Sequence, residues 1–263
     1  MITGLPGAWG QARPLICGAG RRACGRGGSL STELPRGVVG TTTTQHRRRM
    51  DGAVVLSRRG AQVREVRYES VHHGVYVEKA LRGEDLPRAQ AALLAVPGSA
   101  LALQSAAWLL TRGRVDLPAR VELRVPDTRQ VRRAGLVAYP GLLEREVSHC
   151  RGLRVTSGAQ TAVDIACHLR RRPALEAIDA LCNTERCTVL EISDLLHRYA
   201  GRRGVVRARS LLPEIEPGAE SCRETKARLI MIDGGLRRPL ANAAVLDAVG
   251  GWLAWADLLY HEL

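Results

Sequence analysis

Leu153-Arg154-Val155-Thr156-Ser157 leads into Gly158 and the run Ala159 to Leu169, where Ala162, Ile165, Ala166 and Leu169 recur at the spacing of one helical face. Ser157 stands where the free amides of a first turn need a side-chain acceptor, so the pattern predicts a helix capped by that serine. Asp164 falls in its middle and is read as an ion-pair partner for one of Arg170 to Arg172. Downstream, Pro173 opens a helix through Cys182, Thr188 to Tyr199 forms another with Leu190, Leu195 and Leu196 apolar, and Gly204 to Leu212 a further one. Short polar joints predict a helical segment over residues 157–212, packed as a bundle. Residues 213–218, with prolines, a glycine and two glutamates, read as an interdomain linker.

Upstream the pattern changes. Ala53 to Leu56, Val63 to Tyr68 and Val71 to Val77 are short and β-branched enough to be strands or helix fragments, and Val121 to Val125 and Leu136 to Tyr139 read as further short strands. Leu86 to Ala95 follows Gly83-Glu84-Asp85 and stops at Pro97-Gly98, which predicts a helix, and Ser99 to Leu110 reads as a second one. Residues 51–156 therefore predict a mixed α/β module. Residues 1–50 predict little packed structure, since Gly and Arg alternate through Gly18 to Gly28 and four threonines run from Thr41 to Thr44. The fold class is α+β: this amino-terminal module, a helical middle, and a carboxy-terminal helix with a β-hairpin.

The chain has 263 residues, 45% of them apolar, enough to bury one large or two modest cores and to exclude a wholly disordered protein. No apolar run reaches the ~18 to 20 residues of a membrane span, because Leu93 to Leu110 is broken by Pro97 and Gly98. Residues 1–28 lack the continuous apolar centre of a secretory signal, so the expectation is a cytoplasmic protein without a membrane partner. Seven cysteines, odd in number and without a Cys-x-x-Cys pair, predict reduced thiols rather than a disulfide framework or a zinc ribbon. The formal net charge is +13 with a pI near 10.3, which draws polyanions and makes DNA the first partner to consider. All but Lys79 and Lys226 of the 39 basic side chains are arginine, a bias that GC-rich coding also produces. The cluster Arg47, Arg48 and Arg49, with Arg58 and Arg59 beyond it, supplies the candidate DNA contacts; a solvated charge run is the plainer alternative. His72-His73 is read as a surface or turn pair, and Tyr76 and Trp108 as core aromatics.

Residues 220–233 have a helical period ending at Gly234-Gly235, and Asn242 to Val249 and Trp252 to Tyr260 flank Gly250-Gly251 as a hairpin would. Glu224 in the helix and Asp257 on the second strand are the candidate metal ligands and catalytic groups. One carboxylate from a helix and one from a strand can together hold a hard divalent cation such as Mg²⁺.

Ala219-Glu220-Ser221-Cys222-Arg223-Glu224-Thr225-Lys226-Ala227-Arg228-Leu229, then Gly235-Leu236-Arg237-Arg238-Pro239, Asn242, Val245, Asp247, Gly251-Trp252 and Asp257-Leu258-Leu259-Tyr260, resemble the opening half of a Vsr-like endonuclease domain of the PD-(D/E)xK superfamily. Such domains close many actinobacterial proteins. Further upstream, His73-Gly74-Val75-Tyr76-Val77, Gln104 to Trp108, Val121-Glu122-Leu123 and Gly152 to Ser157 with Asp164 are similar to the region that precedes the domain in those proteins. The same proteins resemble AbiEi-type antitoxins of type IV toxin–antitoxin systems, with an operator-binding winged helix, here expected around Gly37 to Val77, followed by an α/β domain. The resemblance implies a partial endonuclease domain over residues 219–263. In relatives the strand holding the counterpart of Asp257 is followed by a second acidic motif, whereas this sequence ends at His261-Glu262-Leu263. With Glu224 and Asp257 alone, Mg²⁺ is expected not to be retained and Leu253, Trp255, Leu258 and Leu259 to face solvent or a partner. The function this implies is a DNA-associated, antitoxin-like regulator with an inactive endonuclease-like unit, DNA and a cognate toxin being its partners. The alternatives are a metal-dependent DNA endonuclease and a remnant without activity.

Overall fold

The computed structural model describes residues 49–50, 53–55, 68–126 and 131–260, all within the compact unit Gln45–Leu263. They form an α+β fold, as the sequence predicts. The strands β1 (Arg49–Met50), β2 (Ala53–Val55), β3 (Tyr68–His72) and β4 (Val75–Glu78) make an antiparallel sheet ordered β1-β2-β4-β3. Val71 to Val77 is thus no single strand: His73 and Gly74 turn the chain, and only Val75 and Val77 alternate into the core. Helix α1 (Asp85–Ala95) lies against this sheet.

Ser99 to Leu110 also departs from its reading. Ala100–Leu101 is a strand, β5, and the helix α2 begins only at Leu103 and ends at Leu110. Leu101 is completely buried at the centre of a five-stranded sheet, where pairing on both sides outweighs the helix propensity of an alanine- and leucine-rich run. Its neighbours are β6 (Val121–Val125), antiparallel to it, and β9 (Leu153–Thr156), parallel; β7 (Leu136–Pro140) and β8 (Val147–Cys150) complete the order β7-β6-β5-β9-β8.

The helical middle forms as its pattern predicts. Helix α3 (Gly158–His168) starts with the Gln160 amide donating to Ser157 Oγ at 3.3 Å. Helix α4 (Arg171–Asn183) follows, then α5 (Val189–Arg198), where Thr188 and Glu191 cap each other reciprocally, and α6 (Val205–Leu211). Gly158 must lack a side chain, since a Cβ there would stand 2.0 Å from the Arg186 carbonyl oxygen. Ile165, Leu175, Ile178, Leu181, Ile192 and Leu196 fill the centre of the bundle and join the core under the five-stranded sheet.

Helix α7 (Cys222–Asp233) and the antiparallel hairpin β10 (Leu240–Leu246) and β11 (Trp252–Leu259) end the described chain. The connection is longer than a two-residue glycine turn. It runs from Asp247 to Gly251, with the Asp247 carboxylate accepting from the Val249 and Gly251 amides at 2.9 and 2.6 Å. Leu253 and Trp255 are more than half exposed, as expected, and so is Trp252, while Leu258 and Leu259 are half-buried. Among the described residues no helix is long and apolar enough to cross a membrane.

Candidate nucleic-acid interface

Helix α3 ends at His168, and its last turn leaves carbonyls without intrahelical partners. Arg207, from α6, donates to two of them, Ala166 O at 3.4 Å and Cys167 O in a shorter contact. Such a cation at a helix carboxy terminus also complements the helix dipole. The approach is close because Gly204 begins α6 with φ of 87°, and a Cβ there would lie 2.4 Å from Cys167 O. The glycine therefore decides where the turn Gly201-Arg202-Arg203-Gly204 sits. It draws Arg203, Arg207, Ser210 and His168 around one open cleft, with Cys167 at its base.

Two arginines, Arg203 and Arg207, line the cleft. Arg170, Arg172, Arg198, Arg202, Arg203, Arg207 and Arg209 are all exposed; the Arg172 charge acts on Glu176, and Arg198 shares a pocket with Glu146, Glu191 and Asp194. Arg202 lies over the Tyr199 ring, 4.4 Å from its centroid, which fixes one guanidinium without neutralising it. Arg171, between two of these arginines, turns the other way and binds the Glu214 and Asp233 carboxylates at 2.8 Å each. Exposed guanidinium groups with N–H bonds to spare are donors for phosphate oxygens.

Beneath the cleft Asp164 is buried, and its partner is Arg124 of β6 rather than Arg170 to Arg172. Arg124 Nε donates to Asp164 Oδ2 at 3.0 Å and Nη1 to Pro140 O at 2.6 Å, with a second bond from Nη2 to Asp164 Oδ1. Gln160 donates to Asp164 Oδ1 at 2.8 Å, and Tyr199 donates to Gln160 Oε1 at 2.7 Å. Burial opposes the charge on Arg124, but Asp164's hydrogen bond and field hold the guanidinium above its ordinary pKa. The chain of donors runs from β6 through α3 to the end of α5, so the arginine-bearing turn is tied to the sheet. Burial pushes the Cys167 thiol up, with the Asp164 charge adding to it, so this sulfur is a poor nucleophile.

A second buried pair lies farther along. Arg228 of α7 donates to Asp179 of α4 at 2.8 Å, where Thr225 Oγ1 also donates at 2.9 Å and the Glu216 amide reaches the other carboxylate oxygen at 2.8 Å. Residues 213–218 thus run against α4, with Ile215 buried.

The carboxylates singled out from sequence sit differently. Glu224 lies in the first turn of α7, where Oε1 accepts from the Ser221 hydroxyl and Oε2 from the Glu220 amide, both at 2.7 Å. It caps the helix. Asp257 is exposed on β11. A hard divalent cation needs several oxygens free to converge, and among the described residues no group of three or more His, Cys, Asp or Glu does so. Of the arginines proposed to touch DNA, Arg47, Arg48, Arg58 and Arg59 lie outside the described residues, and Arg49 is described only as backbone in β1. The α5–α6 arginines were missed as a site because they read as separate surface charges until Gly204 brings them round α3. The Gly-Arg-Arg-Gly spacing was the available signal.

Residues 99–214 match the AbiEi antitoxin C-terminal domain. The chain is also 35% identical over 193 residues to uncharacterised proteins of two Mycobacterium tuberculosis strains, CDC 1551 / Oshkosh and H37Rv. The matched region covers 72% of this chain and 70% of each relative.

Proposed function

The chain belongs to the same family as the two mycobacterial proteins, and its residues 99–214 match the AbiEi antitoxin C-terminal domain; from that premise we propose that it is a DNA-associated, antitoxin-like regulator acting in the cytoplasm. The observation that carries this reading is the pair of exposed arginines, Arg203 and Arg207, that line the α3–α6 cleft. A surface of this kind neutralises phosphates and releases their counterions, giving affinity that falls steeply with salt. Arg47, Arg48, Arg49, Arg58 and Arg59 extend the same chemistry at the amino-terminal side. A cognate toxin is the protein partner that the antitoxin reading implies.

Fluorescence anisotropy on a labelled duplex, repeated across salt concentrations, tests this. Binding should weaken linearly in log–log terms, and Arg203→Ala should make the slope shallower by about one unit without changing base preference. Arg203 is chosen because it supports no intramolecular hydrogen bond to a helix end, as Arg207 does. No duplex binding at low salt, or an unaltered slope, would refute the reading.

Residues 219–263 are read as an endonuclease-like unit of the Vsr type that does not cut DNA, because the Glu224 carboxylate is committed to Ser221 and the Glu220 amide. Supercoiled plasmid incubated with the protein and Mg²⁺ should stay intact. Nicking that disappears in Asp257→Ala would establish the metal-dependent nuclease instead.

A further inference from the structure

Helix α4 ends in a reversal that brings two thiols together. The Glu185 amide donates to Cys182 O at 3.0 Å and the Arg186 amide to Leu181 O at 2.9 Å, with Glu185 in the left-handed region at φ of 57°. These are the paired bonds of a Schellman close, which folds the chain back over the last turn of its own helix. Cys187, the next residue, therefore returns against Cys182, and the two Sγ atoms lie 4.0 Å apart in a buried contact. Both cysteines are free thiols.

The joint is also held from outside. Arg186, between the two sulfurs in sequence, donates from Nε to Leu110 O at 2.9 Å, and its carbonyl oxygen abuts Gly158 at the start of α3, where a Cβ would stand 2.0 Å away. On the far side Thr188 and Glu191 cap α5. The thiols are thus kept opposed by backbone and by neighbouring helices. A disulfide would need the sulfurs to approach by about 2 Å, within the swing of Sγ about a single χ1 bond.

We propose that Cys182 and Cys187 form a peroxide-responsive dithiol that closes to an intramolecular disulfide and staples the end of α4 to the start of α5. The hydrogen bond to Cys182, with burial second, holds the Cys187 thiol above its ordinary pKa, so Cys187 keeps its proton and donates it to the other sulfur. Cys182 is left as the attacking sulfur. As a thiolate it takes one oxygen of hydrogen peroxide; the O–O bond breaks, hydroxide leaves and collects the thiol proton as water, and the sulfur, oxidised by two electrons, becomes a sulfenic acid. Cys187 Sγ then attacks Cys182 Sγ, the S–S bond forms as the S–O bond breaks, and the departing hydroxide takes the Cys187 proton as a second water. Two thiols and one peroxide give one disulfide and two waters.

Peptide mapping of the full chain tests this, after hydrogen peroxide treatment of the folded protein, quenching with catalase, unfolding and alkylation with iodoacetamide. Trypsin cuts after Arg186, so the disulfide should appear as two joined peptides, one holding Cys182 and the other Cys187, with both alkylation sites lost and dithiothreitol restoring them. Cys187→Ala should stop Cys182 at the sulfenic acid, which dimedone traps, whereas Cys182→Ala should leave Cys187 a thiol. Full alkylation of both cysteines after peroxide, a bridge from either to a different cysteine or to a second chain, or dimedone labelling of Cys187 in Cys182→Ala as strong as that of Cys182 in Cys187→Ala would each overturn the proposal. The map of the unsubstituted chain decides the pairing even should an alanine variant fail to fold.

Discussion

Arg228→Ala is expected to cost about 3–5 kcal/mol of folding stability, measured by urea unfolding at pH 7.5. Both side chains of the Arg228–Asp179 pair are essentially without solvent contact, 0% and 1% exposed. Removing the guanidinium strands a carboxylate in the core between α4 and α7, with only Thr225 and the Glu216 amide to hold it. The double variant Asp179→Leu/Arg228→Met should recover most of the loss, because paired burial is only weakly favourable while an orphaned charge is strongly unfavourable. A loss below about 1 kcal/mol in the single variant would mean that α7 is not anchored through this pair.

The same carboxyl has a signed pH dependence. Burial pushes the Asp179 pKa from 3.8 up to about 6, against the lowering by the Glu216 amide, Arg228 and Thr225. Between those two values the folded chain holds a proton that the unfolded chain has released, so this group's contribution falls as pH rises from about 4 to about 6 and is constant above. A rise of that size corresponds to about 3 kcal/mol. The stability difference between the native chain and Asp179→Asn should follow that course; a difference that grows with pH would reverse the assignment.

Asp164→Ala should be comparably severe, about 3–5 kcal/mol, since Arg124 loses two hydrogen bonds and Gln160 one while the guanidinium stays mostly buried. Tyr199→Phe is the control, removing only the hydroxyl bonded to Gln160 and costing about 1 kcal/mol. Because this network underlies the arginine cleft, a partly unfolded Asp164→Ala protein should also lose the salt-dependent duplex binding that Tyr199→Phe keeps. Equal, small effects of the two substitutions would show that the charge on Asp164 matters little.

What the residues determine by themselves is local. Ser157 before an apolar repeat, Thr188 opening α5 and Pro97-Gly98 closing α1 are legible because capping, periodicity and chain-breaking act within a few residues. The net charge, and with it the attraction to polyanions, follows from composition alone. Ala100–Leu101 as a central strand, Arg124 as the partner of Asp164, and Arg228 reaching across to Asp179 were decided only by tertiary structure. The reason is physical: each depends on groups 40 or more positions apart meeting in a dry interior, as with Asp164 and Arg124 or Arg228 and Asp179, or on sheet neighbours from distant segments. There an unpaired charge or unpaired strand is costly enough to override what any neighbouring sequence prefers.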